Sequence, residues 1–371
     1  MNCVFIGCGY VAGFYFETLC NYPELKLIGV MDSDIRRSKK FSEYASVPYF
    51  NSLDEVLKDD RVDIIVNLTS VKSHYEISKA GLNAGKHVYS EKPLAFKFEQ
   101  AKALIKLAKE KNLYISSAPC NLLGETAQTL WKALRKKEIG DVHLVYAEID
   151  DGLIHKMDYK SWITPYNIAW PHEEEFEIGC TLEHTAYVLT WLVTFFGPVK
   201  TVTAFSSRRI KDKKTDKPLK ANGPDFSSAC LQFESGVVAR ITNSIIASRN
   251  HTISIFGEDG MLFVENPWDY RSPVNLIRDA TEENMISEEY PLVGKDNPTA
   301  PYFSTCHHMD FCRGIYDIVE AVRKKTQCRL TSQFALHITE VTLAISNAGE
   351  TSESYKVTTI FQPIKPMDWA L

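Results

Sequence analysis

The first dozen residues constrain the fold more than any other stretch. Asn2 to Ile6 reads as a short apolar strand, and Gly7-Cys8-Gly9-Tyr10-Val11-Ala12 follows it without a gap. In this G-x-G-x-x-A turn, Gly7 admits the sharp exit from the strand. Gly9 lets a phosphate approach the backbone with no Cβ in the way, and Ala12 is small enough for the next helix to pack on the strand. That helix aims its first N–H groups and its positive dipole end into the same space. A second strand ends in Asp32, 25 positions beyond Gly7, close to the spacing at which a carboxylate meets the ribose hydroxyls of a dinucleotide. Together these features predict a βαβ unit holding a nicotinamide dinucleotide against Gly7, Gly9, Tyr10, Val11, Ala12 and Asp32. Asp32 favours NAD, because a carboxylate repels a 2′-phosphate; Arg36 and Arg37 keep NADP open.

Strands and helices alternate through the first third, as in a parallel sheet covered on both faces. Strands are expected at 47–50, 63–68, 87–90 and 113–117, and helices at 36–44, from Asn51, from Ser73 or His74, and over 96–111. Beyond residue 121 the apolar signal becomes strand-like, at 142–150, 199–205, 227–233, 237–248, 251–256 and 261–264. Helices are expected at 122–137, 181–196, 305–325 and 332–347. The expectation is an α/β chain of two domains. Residues 1–121 form a Rossmann domain, and 122–371 an α+β domain with a large open, mostly antiparallel sheet for substrate binding and oligomerisation. An open sheet face needs covering, which points to a homodimer or homotetramer.

Composition narrows the partners. A net charge of −5 and a sequence pI near 6.1 give no reason to expect nucleic acid or an anionic membrane. No apolar run approaches the roughly 20 residues of a membrane span, and the fingerprint strand begins where a leader would stand. Nine cysteines without CxxC pairs suit reduced thiols in a cytoplasm. The basic stretch Lys211 to Lys220 reads as a solvated loop.

Further along come Thr69-Ser70-x-x-x-His74 and Glu91-Lys92-Pro93. With GCGYVA, the acid at the second strand end and the sheet-rich second half, the chain resembles the Gfo/Idh/MocA family of nicotinamide-dependent oxidoreductases over nearly its full length. The third element departs from the family's Thr-Pro-Asn-x-x-His, with Ser70 and Val71 in place of Pro and Asn. The resemblance implies that Thr69, Ser70, His74 and Glu91 contact the cofactor and that Lys92 sits beside the reacting carbon. An ammonium at the C-terminal edge of a parallel sheet suits stabilising an alkoxide. Pro93 makes the preceding peptide a candidate for the cis form.

Relatives place an Asp and a His four apart on the helix before a Gly-Pro turn; counting back from Gly197-Pro198, the matching residues are Glu183 and Tyr187. Residues four apart share a helix face. Glu183 and Tyr187 are thus the candidate proton-handling pair, with Lys92 expected to lower the phenol's pKa and His184 able to orient or relay. Asn121, where relatives place a substrate-facing residue, and Trp162, Tyr166, Trp170 and His172, from a segment (150–175) that also holds Asp151 and His155, are candidate substrate contacts. Cys306-His307-His308-Met309-Asp310-Phe311-Cys312 mixes soft and hard ligands without a zinc spacing, so no metal site is assigned. The expected activity is hydride transfer at a hydroxyl or keto carbon of a sugar, nucleotide sugar or cyclitol. The alternatives are a non-catalytic dinucleotide-binding regulator and a dehydrogenase for a non-sugar cyclic diol.

Overall fold

The computed structural model describes residues 1–221, 223–278, 286–294, 303–304, 307–351 and 353–371. Its first sheet has five parallel strands, β1 (Asn2–Ile6), β2 (Lys26–Met31), β3 (Ile64–Asn67), β4 (His87–Ser90) and β5 (Ile115–Ser117), in the order β2-β1-β3-β4-β5. They alternate with helices α1 (Ala12–Leu19), α2 (Ile35–Ala45), α3 (Leu53–Lys58), α4 (His74–Asn83) and α5 (Phe98–Glu110). Every residue of β3 is buried, as a strand covered on both faces must be. The order reverses at β1, so the crevice beyond the carboxyl ends of β1 and β3 is the switch point where ligands of such sheets bind. The expected strand at 47–50 shrinks to one bridge, Val30 to Tyr49, because Pro48 has no N–H to give a ladder.

The second sheet has nine strands. They are β6 (Val142–Asp150), β7 (Val199–Ser207), β8 (Phe226–Phe233), β9 (Val238–Ser244), β10 (Ile253–Gly257), β11 (Gly260–Val264), β12 (Val274–Arg278), β13 (Ser287–Tyr290) and β14 (Ser354–Lys356). Their order is β13-β12-β11-β10-β6-β9-β8-β7-β14; β6 and β9 run parallel and every other neighbouring pair antiparallel. The helices of this half are α6 (Glu125–Arg135), α7 (His172–Ile178), α8 (Cys180–Phe196), α9 (Arg313–Lys324) and α10 (Ser332–Ser346). Helix α8 lies on β6, β8 and β9, and α10 on β7 and β8. The opposite face alternates with exposed residues, among them Phe205 and Val238.

Two helices of the second half return to the first sheet: α9 packs on β4 and β5, and α10 on α5 and β5. Just before α9, the Cys312 N–H donates to Thr18 Oγ1 at 3.1 Å, and the Tyr22 hydroxyl donates to Asp310 Oδ2 at 2.5 Å. Buried Arg313 binds Asp310 at 3.2 Å and Glu125 at 3.1 Å. Asp310 and Cys312 are thereby spent on packing. Helix α9 begins later than the expected 305; Thr305 and Cys306 lie outside the described residues. The basic stretch 211–220 is not all solvated. Lys213 is 2% exposed, and its ammonium lies 2.7 Å from Asp225 Oδ2, because a buried carboxylate needs a counter-charge and Lys213 folds beneath the loop to supply it.

Candidate active site

Gly7 has φ +100°, and a Cβ there would stand 2.6 Å from the Leu68 carbonyl group, so the turn admits only glycine. A Cβ on Gly9 would meet nothing within 4 Å, which leaves open space before that backbone. Val11 precedes α1 and gives it no side-chain cap; the Gly13 N–H is taken by the Tyr166 hydroxyl, and the positive end of the helix faces the turn. Asp32 accepts from the Cys8 and Asp34 N–H groups, each at 2.8 Å, which fixes its carboxylate at the end of β2. Arg37 is exposed in the first turn of α2, and Arg36 is paired with Asp34. These residues fit a nicotinamide dinucleotide: an anion cradle over Gly9, a ribose acceptor at Asp32, and cations nearby for a 2′-phosphate.

Other expected cofactor contacts have internal work. The Thr69 hydroxyl donates to Asn67 Oδ1 at 2.6 Å, and Ser70 leads into the short turn before α4. His74 differs from the expectation. Its ring nitrogens lie 2.7 Å from the Pro93 carbonyl and 2.9 Å from that of Thr69, so the buried ring braces two loops against each other. Glu91, also buried, accepts the Tyr15 hydroxyl at 2.7 Å and the Lys92 N–H at 3.0 Å, tying α1 to the turn that presents Lys92. The Lys92–Pro93 peptide is cis.

The ammonium of Lys92 reaches α8, where its Nζ lies 2.5 Å from Glu183 Oε2, with both side chains nearly buried. Burial works against the ammonium, but the negative charge of Glu183, with a smaller contribution from Glu91, holds its pKa above the ordinary lysine value. Lys92 is therefore a cation rather than a base. Glu175, on α7, has its pKa raised well above the carboxylate range by burial and by Glu183 beside it. Two carboxylates this close cannot both ionise cheaply, which favours the neutral acid at Glu175 beside the Lys92–Glu183 pair. Tyr187 stands one turn beyond Glu183. Lys92 does pull its pKa down, yet burial outweighs that pull and the phenol sits above its ordinary value, which corrects the expected lowering. A phenol held there is neutral and can donate a hydrogen bond.

Asp151 follows β6 and joins two histidines. Its Oδ1 lies 2.8 Å from His251 Nε2, and its Oδ2 lies 2.7 Å from His184 Nδ1, with the ring's N–H aimed off the line to the oxygen. The Trp268 ring packs against His184, Tyr187, His251 and His307, at centroid distances of 5.8, 4.9, 4.6 and 4.9 Å. Trp170 lines a small cavity with Glu175, Glu183 and His184. Trp162 stacks behind Trp170 at 5.0 Å, and His172 packs on Tyr159 at 5.0 Å. Two expected substrate contacts are corrected. Asn121 is fully buried, donating to the carbonyls of Tyr187 and Pro267, so it locks α8 in place. Tyr166 lies on the dinucleotide turn, where its hydroxyl donates to the Gly9 carbonyl at 2.6 Å and accepts the Gly13 N–H at 3.0 Å.

The comparisons agree with this geometry. The family model described as "Oxidoreductase family, NAD-binding Rossmann fold" matches residues 1–118, and the "GFO/IDH/MocA C-terminal domain" matches residues 127–263. The chain belongs to the GFO/IDH/MocA family. It carries the NAD-binding Rossmann domain of an oxidoreductase family. Among curated relatives, the trans-1,2-dihydrobenzene-1,2-diol dehydrogenase of Mus musculus is 24% identical over 294 residues, 78% of this chain and 80% of that one. The Sus scrofa protein of the same name is 23% identical over 325 residues, 86% of this chain and 87% of its own. Among solved structures, an aldose-aldose oxidoreductase from Caulobacter crescentus superposes with a TM-score of 0.77 at 17% identity, covering 96% of this chain and 99% of that one. A 3-ketoreductase from Actinomadura kijaniata does so at 0.72 and 20% identity, covering 94% and 98%.

Glu175, His251 and Trp268 were not legible as site residues. Glu175 sits in the run Glu173-Glu174-Glu175, which reads as the acidic first turn of a helix, and the other two lie in connections far along the chain.

Proposed function

We propose that this family member interconverts a hydroxyl and a ketone on a ring-shaped polyol such as a sugar, nucleotide sugar or cyclitol. Residues 1–121 hold the dinucleotide, and residues 122–371 present the substrate. When bound, the nicotinamide supplies the hydride acceptor or donor. The chain's residues do the rest: Lys92 stabilises negative charge on the reacting oxygen, and Tyr187, Glu183 and His184 handle its proton. The observation that carries this reading is the Lys92–Glu183 pair, which leaves a fixed cation beside the crevice. Fold neighbours named for aldoses, a 3-ketoreductase reaction and a nucleotide sugar support the substrate class.

A second reading, a non-sugar cyclic diol, is favoured by one observation. The Trp268 ring packs 4.9 Å from that of Tyr187, an aromatic surface that suits the flat ring of a cyclic diol, the substrate for which the matching curated relatives are named. The alternating outer face of the nine-stranded sheet supports a homodimer or homotetramer, which sedimentation tests; a monomer removes that part.

The test is Lys92→Ala. It is expected to keep dinucleotide binding, read by fluorescence, while losing turnover on polyol and diol panels by about a hundredfold or more. Undiminished turnover overturns the role of Lys92. Turnover confined to cyclic diols decides for the second reading.

A further inference from the structure

The Asp151 cluster has a direction. Its side chains are 2% exposed at His251, 10% at Asp151 and 17% at His184, so the open end is His184. That end lines the cavity shared with Glu183, Glu175 and Trp170. Hydrogen placement follows from chemistry. An ionised carboxylate carries only lone pairs. A bare ring nitrogen at 2.7–2.8 Å from it would be repelled, so His184 carries its hydrogen on Nδ1 and His251 on Nε2. A neutral imidazole has one N–H, which leaves His184 Nε2 as an acceptor.

We infer that Asp151 and His251 are positioning residues for His184, whose Nε2 takes the substrate hydroxyl proton during oxidation and returns it during reduction. The inference rests on the reading of Lys92 and Glu183 given above. The O–H bond breaks and its electron pair stays on the oxygen, facing the Lys92 ammonium. The proton forms the new N–H bond at His184 Nε2. The Nδ1–H stays on its nitrogen, so Asp151 remains ionised and the imidazolium later loses its proton to solvent. His251 shares the Asp151 carboxylate with His184, one imidazole on each oxygen. The other groups around the cluster are Glu183 next along α8, Glu175 in the cavity, Lys92 across it, Asp150 before Asp151, and Arg249 and His307 from neighbouring segments. Burial pushes His307 down to about 4, so it adds no competing charge near neutrality.

Nitrogen NMR of the imidazoles in ligand-free protein near pH 8 is expected to show His184 as the Nδ1–H tautomer. The Nε2–H tautomer overturns the inference without touching the reading of Lys92. Asp151→Asn removes the neighbouring negative charge, which lowers the His184 pKa. The acid limb of kcat/KM for oxidation should therefore move to lower pH, and kcat should fall about a hundredfold with KM within about threefold. His251→Gln keeps an N–H toward Asp151 and should stay within about threefold of the parent. His251→Leu leaves Asp151 more basic and should move the limb to higher pH, which keeps the inference testable if Asp151→Asn does not fold. An unmoved limb in every folded variant overturns it. Retained turnover in Lys92→Ala is the separate sign that the underlying reading has failed.

Discussion

Lys92 and Glu183 are 91 positions apart in the chain, yet Nζ and Oε2 lie 2.5 Å apart across the junction of the two sheets. The pair sets the charge of the site. Without the carboxylate, the largest charge opposing the burial of Lys92 is gone and its pKa falls. Glu183→Gln is therefore expected to bind dinucleotide normally and to lose activity first at alkaline pH, as Lys92 discharges. A kcat/KM profile from pH 6 to 10 checks this; an alkaline limb identical to that of the parent contradicts it.

Glu175→Gln should behave in the opposite way. A protonated glutamic acid and a glutamine have nearly the same shape, so turnover near pH 7 should stay within about threefold of the parent. A loss of a hundredfold would mean that Glu175 works as a carboxylate.

Tyr166 closes the turn at Gly9 with a hydroxyl that both donates and accepts. Tyr166→Phe strands the Gly13 N–H and the Gly9 carbonyl, costing about 1–3 kcal/mol of stability, and should weaken dinucleotide binding more than it lowers kcat. Thermal melting with and without NAD and NADP measures both effects.

Lys213 and Asp225 form an ion pair that is 1% and 0% exposed at the side chains. Asp225 also accepts the N–H groups of Arg209 and Ile210, at 2.7 and 2.9 Å. Lys213→Met leaves a buried charge and should destabilise by about 3–5 kcal/mol, whereas Lys213→Met with Asp225→Asn should recover much of that. Urea unfolding of the two variants decides it.

His337 is fully buried, and its pKa is pushed down to about 4 by that burial, with Nε2 accepting the Val199 N–H at 3.0 Å. Because the folded pKa lies below the unfolded value of about 6.5, the unfolded chain binds more protons between the two. Stability is therefore full above about pH 6.5 and falls by up to about 3 kcal/mol as pH drops toward 4. The melting temperature of the parent should decline over that window, and that of His337→Gln should decline less.

What the sequence reveals divides by distance along the chain. Gly7, Gly9 and Asp32 are local: a turn, a cradle and a strand end, each dictated by neighbours within one βαβ unit. Glu183 and Tyr187 are local too, through helical spacing. The partners of Glu183 are less so: Lys92 meets it only after the two sheets have packed, and Glu175 only through the turn at Gly179 that folds α7 against α8. Tyr187 shows the cost: its nearby cation was foreseeable, but the burial that outweighs that cation is a property of the assembled core. Asn121 and Tyr166 mislead for the same reason, since a polar side chain near a site can be bound to main chain instead of ligand. The nine-stranded sheet is legible in kind but not in β12 or in its edge strands β13 and β14, which are short or weakly apolar.

The return of the Asp310–Arg313 segment to α1 and β4 bears on how this protein can be made. Residues 1–121 complete their sheet early in synthesis, but Tyr22, Thr18 and Tyr89 find their permanent neighbours only when the last sixty or so residues emerge. A fragment cut at the sheet boundary would leave those surfaces wet and adhesive. The nascent amino-terminal half must therefore wait, partly unfinished, for the tail that closes it.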